Sequence, residues 1–133
     1  MKKILRLIIP ALLAFVLAGC HYHNINGDLD GQWQLMSIDL PDGTQQTPQQ
    51  VYYCFFMHTA NVTSTSQGSA VANMTYDKHA RTLALEFPYK GTLSPWGLPD
   101  APCTVKFTIN KINKKHLVMT LDGAGAVMTL RKF

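Results

Sequence analysis

The chain has 133 residues, of which 12 are lysine or arginine, 8 are aspartate or glutamate, and 47% are hydrophobic. The first nineteen residues carry three of the basic residues and none of the acidic ones, so the rest of the chain is close to neutral. A near-neutral domain lacks the broad basic surface that nucleic-acid binding requires, and we expect no nucleic-acid partner. The 114 residues from Cys20 onward suffice for one domain with one core.

The N-terminal segment has the regions of a bacterial export signal in the usual order. Basic residues come first (Lys2, Lys3 and Arg6), followed by an apolar run from Ile8 to Leu17 that is shorter than the ~20 residues of a transmembrane helix. The sequence Leu-Ala-Gly-Cys at 17–20 then resembles the lipobox of bacterial lipoproteins. This resemblance implies a signal peptide at residues 1–19, cleavage before Cys20 and acylation of Cys20. The alternative is an ordinary secretory signal in which the cysteine occurs by chance.

The residue after Cys20 is histidine, and no acidic run follows it. By analogy with other bacterial lipoproteins, this implies an anchor in the outer membrane and a domain that faces the periplasm. Residues 20–30 are rich in Asn, Asp and Gly, which predicts a lipidated cysteine and a flexible tether. His21 and His23 lie on this tether and are too few for the three or four fixed ligands of a specific metal site.

From Gly31 onward, apolar and polar residues alternate with the period-two pattern of β-strands. The segment 51–59 is apolar on both faces, so we expect it to be buried on both sides or covered by a lid. Seven or eight short strands without helices between them predict an antiparallel sandwich or barrel. The predicted strands are 32–39, 51–59, 70–77, 81–87, 103–110, 116–122 and 126–133, with a hairpin tip at 113–116 and a turn at 122–125.

The segment 88–103 differs from the rest because it contains four prolines and several large apolar residues. Proline cannot donate to a sheet ladder, so a central strand is excluded from this segment by its four prolines, Pro88, Pro95, Pro99 and Pro102. We expect a long loop that is packed down or acts as a lid.

A Gly-x-Trp at Gly31 and Trp33 in the first strand, together with Arg131 near the end of the last strand, resembles the motif of the lipocalin (calycin) family. Gly31-Gln32-Trp33 opens the first strand as the family's Gly-x-Trp does, and Arg131 lies near the end of the last strand. The resemblance implies that Trp33 closes one end of the barrel, that Arg131 lies over its ring as a cation–π partner, and that Gly31 permits a tight turn. We therefore expect residues 31–133 to form a small lipocalin-like, antiparallel up-and-down β-barrel of about 7–8 strands.

The chain departs from the main family in three respects, because it is short, lacks a long helix before the last strand and lacks a TDY-like motif. It is more similar to small lipocalin-like lipoproteins of Bacteroidetes-type bacteria, whose function is mostly unassigned. The alternative is that Trp33 is a core residue of another β-fold.

The two remaining cysteines are Cys54 and Cys103. An exported protein occupies an oxidising compartment, which favours a disulfide between them. The alternative is a pair of buried free thiols that behave as small apolar residues.

Catalytic patterns are missing from the sequence. Glu86 is the single glutamate after the leader, most aspartates lie in turn sequences, and no Gly-x-Ser-x-Gly, His-Glu-x-x-His or phosphate-binding loop occurs. His58 lies in a strand-like segment and is not part of a ligand cluster. We expect no enzymatic activity, no cofactor and no metal site.

The remaining candidate is an apolar pocket at a barrel mouth, where small-molecule sites are often found. Its predicted lining is Tyr53, Phe55 and Met57 from the strand, with Tyr89 and Trp96 from the loop. The predicted function is non-catalytic binding of a small apolar or amphipathic molecule in the cell envelope. The alternative is a filled barrel that serves as a protein-interaction, inhibitor or structural accessory module with an envelope protein partner.

Overall fold

A computed structural model describes residues 25–133 of the chain. The predicted signal peptide, Cys20, His21 and His23 lie outside the described residues. Between residues 25 and 133, no helical segment has the length and apolar character needed to cross a membrane.

Nine antiparallel strands form one sheet, and eight of them close into a barrel. The first strand pairs with the third on one side and with the last on the other, which completes the closure. The short second strand is an addition beside the end of the first. The strands are β1 (Gly31–Asp39), β2 (Gln45–Gln46), β3 (Val51–Phe56), β4 (Thr59–Ser64), β5 (Gly68–Asp77), β6 (Thr82–Gly91), β7 (Ala101–Ile112), β8 (His116–Leu121) and β9 (Val127–Lys132). The predicted antiparallel up-and-down barrel is confirmed.

The barrel has two ends, which we call the base and the mouth. The base contains the start of β1 and the turns 57–58, 78–81 and 113–115. The mouth contains the end of β1, the turns 65–67 and 122–126, and the segment 92–100 between β6 and β7. We call residues 92–100 the lid; it includes a 3₁₀ turn at Ser94–Trp96.

Alternate residues of each strand point inward and fill the interior. The six largest side chains that are essentially fully buried are Trp33, Trp96, Tyr53, Phe55, Phe87 and Phe107. Among residues 25–133, every buried side-chain nitrogen or oxygen has a hydrogen-bond partner. Eight strands enclose a space that side chains alone are able to fill, and this barrel is of that kind.

The predicted strand 51–59 is interrupted by a turn. The chain turns at Met57, whose φ is 55°, and a separate strand runs back over Thr59–Ser64. This strand was not predicted, although Ala60 and Val62 alternate with polar neighbours and are fully buried. Their small size gave a weak hydrophobic pattern next to the aromatic run before them.

The prediction that residues 88–103 form one loop was wrong at both ends. Pro88 lies within β6 and Pro102 within β7. The pairing of these strands is irregular between Phe87 and Gly91, so the prolines occupy places where the regular ladder is interrupted. A missing N–H donor costs little at such a position.

The predicted flexible tether was also wrong for residues 26–30, which pack onto the base. Asn26 is 7% exposed, Leu29 is fully buried, and Gly27–Leu29 form a 3₁₀ turn. The Trp33 indole Nε1 donates to the Leu29 carbonyl at 2.8 Å. Trp33 therefore fixes the segment that precedes its own strand. The Asn, Asp and Gly residues of this segment predicted a turn-rich tether and gave no sign of this packing.

Trp33 lies inside the base as the resemblance implied, but Arg131 does not lie over it. The side chain over the ring is Lys132, whose Nζ is 4.4 Å from the ring centroid. β9 alternates, so Met128 and Leu130 point inward together with Lys132, while Arg131 is exposed and donates to Gln34 Oε1 at 3.0 Å. The alternation of β9 is visible in the sequence, and it places Arg131 among the outward-facing residues, away from Trp33.

Lys132 also binds the chain that crosses beneath it. Its Nζ donates to the carbonyls of Asp28 and Asp30. A Cβ on Gly31, which has a φ of 122°, would lie 2.8 Å from the same Nζ. Glycine is favoured at this position by its backbone conformation, and a side chain there would displace the lysine head group.

The disulfide predicted between Cys54 and Cys103 is not formed; both are free thiols. Cys54 lies on β3 and Cys103 on β7, with three strands between them. Cys54 alternates with the buried Tyr53 and Phe55 and so faces outward, whereas Cys103 packs against the core. The barrel wall thus separates the two sulfurs.

The base contact can be tested by replacing Lys132 with methionine, which preserves an unbranched apolar stem. Loss of the cation–π contact and of the charged hydrogen bonds should lower the free energy of unfolding by about 1–2 kcal/mol. The matched variant Arg131→Met should change it by less than about 0.5 kcal/mol, since it removes an exposed group. Urea unfolding of both variants measures the difference, and equal losses would contradict the assignment of Lys132.

The free thiols can be tested by alkylating the denatured protein with iodoacetamide without a reductant. Peptide mass spectrometry should find both Cys54 and Cys103 carbamidomethylated, because neither sulfur has a bonded partner. A sample reduced before alkylation serves as the control and should give the same labelling. A disulfide-linked pair of peptides containing Cys54 and Cys103 would contradict the separation of the two sulfurs by the barrel wall.

Candidate functional site

The lid closes the mouth with three buried apolar side chains. Leu93, Trp96 and Leu98 are all 5% exposed or less. The lid is compact in itself, since the Leu98 N–H donates to the Leu93 carbonyl and Gly97 ends the 3₁₀ turn at a φ of 74°. A Cβ on Gly97 would lie 2.8 Å from Ile38 Cδ1, so the lid backbone fits closely against the barrel rim.

Two hydrogen bonds attach the lid to the barrel wall. The Trp96 indole donates to the Thr63 carbonyl at 3.0 Å, and the Tyr53 hydroxyl donates to the Trp96 carbonyl at 2.7 Å. Tyr53 is fully buried, and burial raises the pKa of its hydroxyl above the ordinary value. The hydroxyl therefore stays protonated and remains a donor to the lid.

A groove lies between the lid and strands β5 and β6, and we call it the strand groove. Its volume is about 450 Å³. Phe87, Leu93 and Trp96 form its buried floor, and its exposed walls include Val71 and Tyr89. Polar side chains of Gln67, Ser69, Lys90 and Thr92 lie around it.

A second groove lies on the other side of the lid, and we call it the hairpin groove. Its volume is about 920 Å³, and it exists because β8 ends at Leu121 while β7 extends to Ala101. Its lining combines small residues and the charged Lys106 and Asp122 with the aliphatic Val105 and Leu121. It is wider and more open than the strand groove and offers no aromatic side chain.

The structure separates the five residues predicted to form one pocket. Tyr89 and Trp96 line the strand groove together. Tyr53 and Phe55 are part of the filled interior, with ring centroids 6.1 Å apart. Met57 is 49% exposed at the base. The single-pocket prediction was wrong because β3 runs from mouth to base, so successive residues lie progressively farther from the lid.

Sequence reasoning missed the residues that β5 and β6 contribute to this groove. Phe87 continues the inward alternation of Leu83 and Leu85, and Val71 is an outward β-branched residue at the mouth end of β5. Both patterns are present in the sequence. What was not visible is that the lid forms a groove with these two strands, since its long-range contacts have no local periodicity.

The titratable side chains noted in the sequence, Glu86 and His58, are both exposed. Glu86 is exposed on the outer wall and accepts from Asn73 Nδ2 at 3.4 Å. His58 is exposed in the turn at the base, far along the strand from the lid. Within residues 25–133, no group of three or more His, Cys, Asp or Glu side chains is placed to hold a metal ion. The geometry of the mouth suits binding of an apolar group.

Comparison with known proteins agrees with this architecture. A family model for the lipocalin-like domain matches residues 15–133. The chain belongs to the lipocalin-like domain family. Members of this family are generally binding proteins rather than catalysts. None of the curated proteins compared with the chain matches it.

Two solved structures from Bacteroides share the fold. A lipocalin-like protein from Bacteroides uniformis is 23% identical, with a TM-score of 0.63 over 80% of this chain and 100% of the other. An uncharacterised protein from Bacteroides eggerthii is 16% identical, with a TM-score of 0.62 over 79% of this chain and 99% of the other. At these identities the similarity extends to the fold alone.

Replacement of Tyr53 by phenylalanine tests the link between barrel and lid. The Trp96 carbonyl would lose its donor in a buried place, so the free energy of unfolding at pH 8 should fall by about 1–3 kcal/mol. Because the folded-state pKa of Tyr53 is raised, its contribution is present below the unfolded pKa of about 10 and is lost as the pH rises above it.

The wild-type protein should therefore lose stability between pH 8 and pH 11 more steeply than Tyr53→Phe. Urea unfolding at several pH values compares the two proteins. Because the remaining tyrosines are common to both, they cancel in the comparison. Parallel pH profiles would contradict the buried, hydrogen-bonded state of the Tyr53 hydroxyl.

Proposed function

We propose that this lipocalin-like domain is a non-catalytic binding module that takes a small apolar or amphipathic molecule at the barrel mouth, in the strand groove. The observation that carries the proposal is the exposed apolar wall beside the lid, formed by Val71 at 53% and Tyr89 at 79% exposure. A volume of about 450 Å³ lies within the usual range of ligand pockets, which is ~300–1,000 Å³.

The filled interior determines where such a molecule can bind. Trp33, Tyr53, Phe55 and Phe107 occupy the barrel below Trp96, which favours a ligand site outside the interior. An apolar chain would instead lie over Phe87 and against the lid, and a polar head group would meet Lys90, Thr92 or Gln67 at the rim. This placement favours an amphipathic molecule over a fully apolar one.

The same filled interior supports the alternative function. A barrel filled by side chains also suits an interaction, inhibitor or structural accessory module, and an envelope protein would then be its partner. The two functions differ in whether the mouth takes up a small molecule at all.

We also propose that Cys20 is acylated and anchors the domain in the cell envelope, in the outer membrane and facing the periplasm. The order of basic, apolar and small residues before Cys20 supports this proposal. Residue 25 lies at the base, so an anchor at Cys20 would be connected to the end opposite the grooves.

Ligand binding can be measured by titrating the protein with dodecanoate and recording tryptophan fluorescence. The chain has two tryptophans, at the two ends of the barrel. The variant Trp33→Phe should retain a saturable change, because Trp96 forms the floor of the groove, and Trp96→Phe should lose it. Val71→Asn should weaken binding about fivefold or more by removing apolar contact area.

Met36→Asn is the matched control, because Met36 is a partly exposed apolar residue of β1 that lies outside both grooves. It should leave the titration unchanged. A fluorescence change that survives Trp96→Phe would place the molecule elsewhere, and the absence of any saturable change would favour the alternative function.

A further inference from the structure

The charged side chains of the barrel are divided unevenly between its ends. Residues 25–133 contain nine lysines and arginines and eight acidic residues. Seven of the nine basic residues lie in the turns of the base or at the adjoining strand ends, among them Lys78, Arg81, Lys114, Lys115 and Lys132. The acidic residues at this end are Asp28, Asp30 and Asp77.

Seven basic against three acidic side chains give the base an excess of four positive charges, and two basic against five acidic side chains give the remainder an excess of three negative charges. The overall neutrality of the domain therefore conceals two ends of opposite sign. Such a distribution orients a molecule in the field of a charged surface.

Two of the three carboxylates of the base accept hydrogen bonds from its own turns, whereas Asp28 is exposed. Asp30 accepts from Asn26 Nδ2 at 2.7 Å, and Asp77 accepts from the backbone N–H groups of His79 and Ala80 at 3.1 and 3.0 Å. Lys114 and Lys115 are exposed at the tip of a turn that Asn113 holds through two backbone hydrogen bonds. The base thus presents Lys114 and Lys115 outward on a defined loop, whereas Lys132 is directed onto Trp33.

Exposed apolar side chains lie at the same end. Ile25 is 53% exposed and Met57 is 49% exposed. They are close together, because Asn26 Nδ2 donates to the Met57 carbonyl at 2.8 Å. Apolar side chains flanked by lysines and arginines are the combination found in segments that bind at the headgroup level of anionic membranes.

The position of Cys20 brings this end close to a membrane. Ile25 is five residues along the chain from Cys20, and an extended chain spans at most ~3.6 Å per residue, so the base would lie within about 18 Å of the acylated cysteine. The mouth would be a full strand length farther away.

We propose that the base is a docking surface for anionic lipid headgroups. Ile25 and Met57 contact the headgroup and acyl boundary, and the surrounding lysines and arginines bind the phosphates. The negatively charged mouth then points away from the membrane, and both grooves remain open to the periplasm. This inference rests on the acylation of Cys20 proposed above.

Hydrogen exchange of the acylated protein on vesicles tests the docking. Deuterium uptake at the base turns 57–58 and 113–115 should fall about twofold or more on phosphatidylcholine vesicles that contain phosphatidylglycerol, compared with phosphatidylcholine alone. Uptake at the mouth turns 65–67 and 122–126 should be the same on both vesicle types. Lys114→Glu with Lys115→Glu should abolish the protection, and raised salt should reduce it.

Lys90→Glu with Lys106→Glu is the matched control, since it makes the same charge change away from the base and should leave the protection intact. Equal uptake at both ends, protection of the mouth, or protection that is independent of phosphatidylglycerol would overturn the docking surface. Protection in native envelopes but not on vesicles would also overturn it, in favour of a protein partner. Mass spectrometry of Cys20 reads the acylation separately, so an acylated protein with an unprotected base refutes the docking alone.

Discussion

The pairing of β1 with β9 is the interaction on which the rest of the structure depends. It closes the sheet, and it places Trp33 opposite Lys132 in the register of the two strands. From this position the lysine reaches the indole face and two carbonyls of the crossing segment, while the indole nitrogen holds the Leu29 carbonyl. The Trp33–Lys132 pair thus joins β1 and β9 to the segment that covers the base.

Closure also has a consequence for the interior. Each inward residue of eight strands points to the same axis, and the large aromatic side chains meet there. Tyr53 extends from beside Trp33 toward the mouth, where its hydroxyl binds the Trp96 carbonyl. Tyr53 therefore links the base, which Trp33 closes, to the mouth, which Trp96 closes. The grooves available for binding lie on the outside of the barrel.

Much of this fold could be predicted from the sequence. Period-two alternation located most of the strands, and Gly31-Gln32-Trp33 indicated where the barrel begins. The failures have specific physical causes. Ala60 and Val62 were overlooked because small residues give a weak pattern, and Pro88 was excluded from β6 because the sequence does not reveal where a ladder is interrupted. Arg131 was assigned by motif, although its own strand placed it in the outward phase.

The candidate site was less predictable than the fold. Tyr89 and Trp96 were identified from the loop, but Met57 lies at the opposite end, and Phe87 and Val71 were missed. A groove beside a lid is made by segments that are distant in the chain, and no local pattern encodes which strands the lid covers. The two cysteines illustrate the same limit, since their separation by the barrel wall follows from strand order and facing rather than from sequence distance.

The sequence by itself determined that this is an all-β domain of antiparallel strands, because alternation is a local property that each strand carries independently. It also determined the near neutrality of the domain and its lack of catalytic motifs. Only the tertiary structure decided that large side chains fill the interior and that Lys132 covers Trp33. It also decided that most lysines and arginines lie at the base, while most carboxylates lie toward the mouth. Those properties depend on register and on the order of strands around the barrel, which arise when residues far apart in the chain pack together.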